Sequence, residues 1–151
     1  MKHHFYRAVA LMAIMFISAG CANKDERFMD VLAGDWHYSG IEQGIEEDVW
    51  LLLSADGTFD MYQKIGEGAY WHSAGTWAAD SQSKVLSGVY EDRTPWRYDY
   101  SWSVTGDSMT LTAVQADTWS VTYSREAFPE SVRDKSLELT KSSGETPVLF
   151  L

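Results

Sequence analysis

Apolar and polar residues alternate along much of this chain, with the period of two that is typical of a β-strand with one buried face. The clearest example is residues 58–65, in which Phe59, Met61, Gln63 and Ile65 share one face. Since a face of this kind packs against a core, the pattern predicts a strand here.

Similar strands follow one another, separated by turn-forming residues. Val49 to Leu53 is an apolar run that predicts a buried strand. Further strands are predicted near residues 70–77, 85–90, 98–104, 109–113 and 119–123, with turns at 55–57, 80–83, 92–95 and 106–107. Short strands spaced by about 8–12 residues indicate an antiparallel barrel or a β-sandwich.

The N-terminus has a different pattern. Lys2 and Arg7 precede an apolar run over residues 8–17, which is typical of an export signal. The run is well short of the roughly 20 residues that a helix needs to cross a bilayer. We therefore expect residues 1–20 to be a signal peptide.

The single cysteine, Cys21, directly follows Ser18-Ala19-Gly20. This stretch resembles the lipobox of bacterial lipoproteins, which implies that Cys21 becomes an acylated N-terminus carrying palmitate-type chains. Each buried methylene contributes about 0.8 kcal/mol, so more than one chain gives stable anchoring. The alternative is an ordinary secreted protein with a free thiol.

Residues 21–30 then form a tether that precedes a domain at residues 31–151. Ala22 is not the aspartate that is associated with retention at the inner membrane, so the resemblance implies the outer membrane. Lys24-Asp25-Glu26 resembles a surface-export signal of Gram-negative lipoproteins, and the alternative is a solvated tether on the periplasmic face.

Composition limits the partners. The chain has a formal charge of -10, and removal of Lys2 and Arg7 with the signal, which contains no acid, makes it -12. Such a charge repels nucleic acid, so we expect no nucleic-acid partner. One cysteine allows no internal disulfide, whereas 7 Trp, 8 Tyr and 6 Phe supply large apolar areas for a core.

Gly34-Asp35-Trp36, at the start of the first strand, resembles the Gly-x-Trp motif of the lipocalins and the wider calycin group. In that group an arginine at the end of the last barrel strand packs across the tryptophan, and Arg125 stands at that position. The resemblance implies an antiparallel, up-and-down, eight-stranded barrel with a short C-terminal helix beginning near Pro129. A β-sandwich is the alternative.

Residues with catalytic or metal-binding potential are few. His37 and His72 are not in any metal-binding motif, and Glu46-Glu47-Asp48 is typical of a solvated strand end. No Gly-x-Ser-x-Gly elbow is present. We expect no enzyme, no metal and no cofactor.

Two functions remain open. As the lipocalin resemblance implies, the barrel holds a small apolar or amphipathic ligand; alternatively, its core is filled and its outer surface binds a glycan or a protein. The candidate ligand-binding residues are Trp71, His72, Trp96, Tyr98 and Trp102. The apolar end of the chain, residues 148–151, is expected to add or cover an edge strand.

Overall fold

A computed structural model of the chain describes residues 29–116, 118–138 and 150–151. The expected signal peptide, Cys21 and most of the tether lie outside the described residues, as do residues 148 and 149. Nine strands are present in this part of the chain: β1 (Gly34–Glu42), β2 (Ile45–Leu53), β3 (Thr58–Ile65), β4 (Trp71–Asp80), β5 (Val85–Tyr90), β6 (Tyr100–Thr105), β7 (Ser108–Ala113), β8 (Ser120–Arg125) and β9 (Leu137–Glu138).

Strands β1 to β8 form a closed antiparallel barrel. Each strand pairs with the next along the chain, and β8 pairs with β1 through Trp36↔Arg125 and His37↔Ser124. This closure confirms the predicted up-and-down barrel and excludes the sandwich. The turns after β2 and β6 lie where the sequence predicted them, and Gly57 and Gly106 adopt positive φ angles there, which glycine tolerates without strain; the turn at Gln43-Gly44 between β1 and β2 was not predicted.

The inward faces of the strands form one aromatic-rich core. Trp36, Phe59 and Tyr123 from three different strands are each at most 1% exposed. Alternation places the polar residues of most strands on the outside, because successive side chains point to opposite faces. The two faces of β2 are both largely buried, which explains why residues 49–53 are apolar without alternation.

One end of the barrel is closed by the residues that carry the lipocalin resemblance. The Arg125 guanidinium carbon lies 4.1 Å from the centroid of the Trp36 ring, and the Trp36 Nε1–H donates to the Leu32 carbonyl at 2.7 Å. A Cβ at Gly34 would collide with the Arg125 guanidinium, so this position requires glycine. A helical turn at residues 29–32 covers this closed end.

A second segment covers the outside of the barrel. After β8, the short helix α1 (Glu130–Asp134) follows Pro129, as the resemblance implied, and Val132 is buried against Trp50 and Tyr62. Strand β9 then pairs in parallel with the start of β4. In the described ranges, neither helical segment has the length and apolar character needed to cross a bilayer.

Candidate ligand site at the open end of the barrel

The end opposite Trp36 and Arg125 is the open end. Four connections lie there, at residues 43–44, 66–70, 91–99 and 114–119. These connections leave a central opening, and the last two residues of the chain lie in it. We expected the apolar tail at a sheet edge, but Phe150 and Leu151 instead pack against the interior core.

Polar groups inside the barrel hold the main chain of these two residues. The Phe150 N–H donates to the Gln63 side-chain oxygen at 2.9 Å, and the Tyr90 hydroxyl donates to the Leu151 carbonyl at 2.9 Å. Leu151 is only 1% exposed, although it belongs to no strand of the barrel. The eight strands therefore leave space for an apolar group that they do not themselves provide.

Aromatic rings surround this space. The Phe150 ring centroid lies 5.5 Å from that of Tyr38 and 5.7 Å from that of Trp119. The Tyr100 ring continues the series, 5.4 Å from Trp119 and 6.1 Å from Trp96. These rings pack against one another in edge-on or tilted geometry. Both ring edges and ring faces are therefore presented to the group at the centre of the barrel.

Two buried tyrosine hydroxyls near this space lack a hydrogen-bond partner among the described residues, those of Tyr100 and Tyr123. Both residues are 0% exposed, and burial raises the pKa of each phenol. An unsatisfied buried hydroxyl costs about 1–3 kcal/mol, so each such group requires an explanation. A ligand with polar atoms would supply the missing partners.

A cavity of about 210 Å³ opens at the rim, beside Tyr38. Two carboxylates that line it, Glu42 and Glu47, lie on neighbouring strands. Partial burial and the negative charge of Glu42 raise the pKa of Glu47, whereas a hydrogen bond from Tyr38 opposes this rise. A Cβ at Gly40 would collide with the Tyr38 hydroxyl, so this glycine allows Tyr38 to lie along its strand.

The residues predicted to bind a ligand do not all meet. Trp96 and Trp102 are buried in the core at 4% and 8% exposure, and Tyr98 is half-buried against the same core. Trp71 is half-buried at the start of β4. His72 follows Trp71 directly and therefore lies on the outer face, away from the interior.

His72 instead belongs to a row of outward-facing rings across β1 to β4. The register aligns His37 with Trp50, Trp50 with Tyr62, and Tyr62 with His72. His37 stacks on Trp50 at 4.0 Å and Tyr62 stacks on His72 at 4.5 Å between centroids. Phe128, which precedes α1, packs against Trp50 and Tyr62 in the middle of this row.

Carboxylates face both ring nitrogens of each histidine. His37 contacts Asp48 and Glu126, both at 3.1 Å. His72 contacts Asp60 at 2.7 Å and Glu138 at 2.9 Å. Each ring can therefore donate two hydrogen bonds when both of its nitrogens carry hydrogen. These contacts give the histidines a structural role in fixing the segment from Glu126 to Glu138.

Several residues at the open end were not identified from the sequence. They are Tyr38, Gln63, Tyr90 and Tyr123. Two others were placed wrongly: Glu47, expected at a solvated strand end, is partly buried beside the rim cavity, and Leu151, expected at a sheet edge, is buried inside. Gln63 carried a usable signal, since it is a polar side chain on the apolar face of a clearly alternating strand. The others contribute through contacts between residues that are far apart in the chain.

Among the described residues, no group of three or more His, Cys, Asp or Glu side chains is arranged to hold a metal ion.

Comparison of the chain with protein-family models, with curated proteins and with solved structures gave no match.

Proposed function

We propose that this protein is a lipid-anchored, lipocalin-like barrel of the outer membrane that holds a small apolar or amphipathic ligand at its open end. The observation that carries the proposal is Leu151, which is 1% exposed inside the barrel without belonging to its strands. A site that accepts a leucine side chain and two main-chain hydrogen bonds also fits a ligand of similar size and polarity.

In this proposal, the ligand takes the place of Phe150 and Leu151. Gln63 and Tyr90, which now bind the main chain of these residues, would bind the polar atoms of the ligand. The hydroxyls of Tyr100 and Tyr123 offer further hydrogen bonds to an amphipathic ligand. Burial of the apolar part of the ligand against the aromatic rings supplies the main driving force.

Apolar side chains at the rim also support access from this end. Ile41, Ile45 and Ile65 are 71%, 49% and 38% exposed, and all three lie close to the ends of β1, β2 and β3 that surround the opening. Exposed apolar groups clustered at one place commonly mark a binding surface. An amphipathic molecule would meet these side chains before it enters the barrel.

The alternative of a glycan bound on the outer surface receives less support. The aromatic residues that the sequence offers for stacking on a sugar lie in the stretches 70–72 and 96–97: Tyr70, Trp71, His72 and Trp96. Trp96 is buried in the core, and Tyr70 packs against the outer cluster of Trp50 and Tyr62. Since a sugar ring needs an exposed aromatic face to stack on, these two residues are poorly placed for it.

The proposal is tested by freeing the interior. The protein used comprises residues 22–151, without the expected signal peptide and Cys21. The double substitution Phe150→Ser and Leu151→Ser removes the apolar contacts of these two residues. The affinity for the neutral fluorophore Nile red is then measured by fluorescence titration. We expect tighter binding by roughly tenfold or more, because burial of one leucine side chain is worth about 1.5–3 kcal/mol. The matched control is Leu137→Ser, at a residue that is 49% exposed on β9.

Two outcomes would contradict the proposal. If neither the unsubstituted protein nor the double variant binds Nile red, the interior is a filled core. If Leu137→Ser increases the affinity as much as the double variant does, the gain comes from general loosening of the fold.

A further inference from the structure

The rim cavity has a charge of one sign. Of its lining residues that the structure describes, the charged ones are Glu42 and Glu47, and no lysine or arginine is among them. Two cations lie outside this lining: Lys64 lines a neighbouring cavity with Glu46, Glu47 and Asp48 and is 5.6 Å from the Tyr70 ring, and Arg97 is 5.2 Å from the Tyr98 ring. A positive group that enters the rim cavity would therefore meet two carboxylates and no cation among the described residues that line it.

Glu47 is a carboxylate in an unfavourable position. It is partly buried and next to the charge of Glu42, and both effects raise its pKa. Its hydrogen-bond partner, Tyr38, is neutral, and no described residue forms an ion pair with it. Because charge repulsion between two acids is relieved by a cation between them, this pair favours a positively charged ligand.

Aromatic rings point to the same chemistry independently. Tyr38 and Trp119 line the cavity together with the carboxylates, and both rings now pack against Phe150. If Phe150 leaves, as the proposed function requires, these two rings gain free surface beside Glu47. Aromatic faces attract organic cations, above all when water is excluded.

A buried hydroxyl lies directly below this site. Tyr123 is on the same face of β8 as Val121, which lines the cavity, and is two residues deeper in the barrel. Its ring meets that of Tyr38 edge-on at 6.0 Å between centroids. The hydroxyl is fully buried and lacks a partner among the described residues, so it is available to a ligand that reaches past the rim.

We propose that the open end selects a positively charged amphipathic ligand, an amine or quaternary ammonium group bound between Glu42, Glu47, Tyr38 and Trp119, with its apolar part inside the barrel. This inference rests on the proposed function and adds the chemical class of the ligand. The acidic net charge of the chain favours the approach of such a ligand.

The test compares three probes with the same alkyl chain by titration calorimetry on residues 22–151, below their micellar concentrations. They are decyltrimethylammonium, which is positive, decyldimethylamine N-oxide, which is neutral at the pH used, and decyl sulfate, which is negative. We expect the ammonium compound to bind about tenfold tighter than the N-oxide, and the sulfate to bind most weakly.

Substitutions of single glutamates show which side chain produces the preference for the ammonium compound. Glu47→Gln should bring the affinities of the ammonium compound and the N-oxide together, and Glu42→Gln should do so in part. Glu46→Gln removes the same charge from the neighbouring position of β2, whose side chain points outward, and should preserve the preference. All three variants should bind the N-oxide as the unsubstituted protein does.

The outcomes separate this inference from the proposed function. Equal affinity for the ammonium compound and the N-oxide would overturn the inference and leave an apolar site. Loss of the preference in Glu46→Gln to the same extent as in Glu47→Gln would also overturn it, since the effect would then be that of net charge. Failure of all three probes to bind would contradict the proposed function as well.

Discussion

Arg125 makes three contacts of two kinds at the closed end of the barrel. Its guanidinium lies over the Trp36 ring, and its two terminal nitrogens donate to the Ala33 carbonyl at 2.9 Å and to the Val31 carbonyl at 3.2 Å. These carbonyls belong to the segment that leads from the helical turn into β1. One side chain thus connects the last strand of the barrel to the chain that enters the first.

We predict that Arg125→Met destabilises the fold by about 1–3 kcal/mol. Methionine keeps an apolar stem over Trp36 but loses the charge and both hydrogen bonds. Urea unfolding followed by tryptophan fluorescence measures the change. Arg97→Met is the control, since Arg97 is exposed and lies beside the Tyr98 ring at 5.2 Å. Equal loss of stability in the two variants would contradict the role assigned to Arg125.

At the scale of elements, the segment from Glu126 to Glu138 lies across the outside of β1 to β4. Its two ends are fixed by the contacts of Glu126 with His37 and of Glu138 with His72. Between these ends, Val132 is buried against Trp50 and Tyr62, and the Phe128 ring lies 4.7 Å from that of Tyr62, with the Arg133 guanidinium 5.3 Å from the Phe128 ring. Apolar packing and hydrogen-bonded histidine–glutamate pairs therefore both hold the segment from Glu126 to Glu138 against the barrel.

We predict that Phe128→Ala loosens this segment and leaves the barrel closed. The ring is half-buried, so the loss of stability should be about 1–3 kcal/mol, less than for a fully buried phenylalanine. Amide hydrogen exchange should become faster at β9 and α1 while β6 to β8 keep their protection. Glu130→Ala, at a side chain that is 73% exposed, is the control. Unchanged exchange at β9 would show that Phe128 does not hold the segment.

The elements were largely predictable from local pattern, and the site was not. Alternation and turns give the strands, because both depend on neighbouring residues. The inward position of Trp102 follows in the same way, whereas Trp96 lies in the connection between β5 and β6, where alternation does not apply. The outward position of His72 follows from alternation once Trp71 is placed, but the start of β4 did not show which of the two faces inward. The site at the open end depends on Leu151, which meets Tyr90 across 61 positions of the chain. No local pattern carries such information.

At the scale of the whole molecule, the proposed lipid anchor would decide where the barrel works. We predict that Cys21→Ser abolishes labelling of the protein by fatty acid and releases it to the soluble fraction, because the acylated cysteine is the proposed membrane attachment. Metabolic labelling with palmitate followed by fractionation measures both effects. Ser18→Ala is the control, since it keeps a small residue before the cysteine. Labelling that persists in Cys21→Ser would exclude the lipobox interpretation.

The helical turn at residues 29–32 and the opening filled by Leu151 lie at opposite poles of the barrel. Seven residues lie between Cys21 and Met29, so a lipid on Cys21 would hold the closed pole within about 28 Å of the bilayer. An anchored barrel that stands upright on this tether would turn its opening away from its own membrane. It would then bind molecules from the surrounding medium and would extract few molecules from the bilayer to which it is attached.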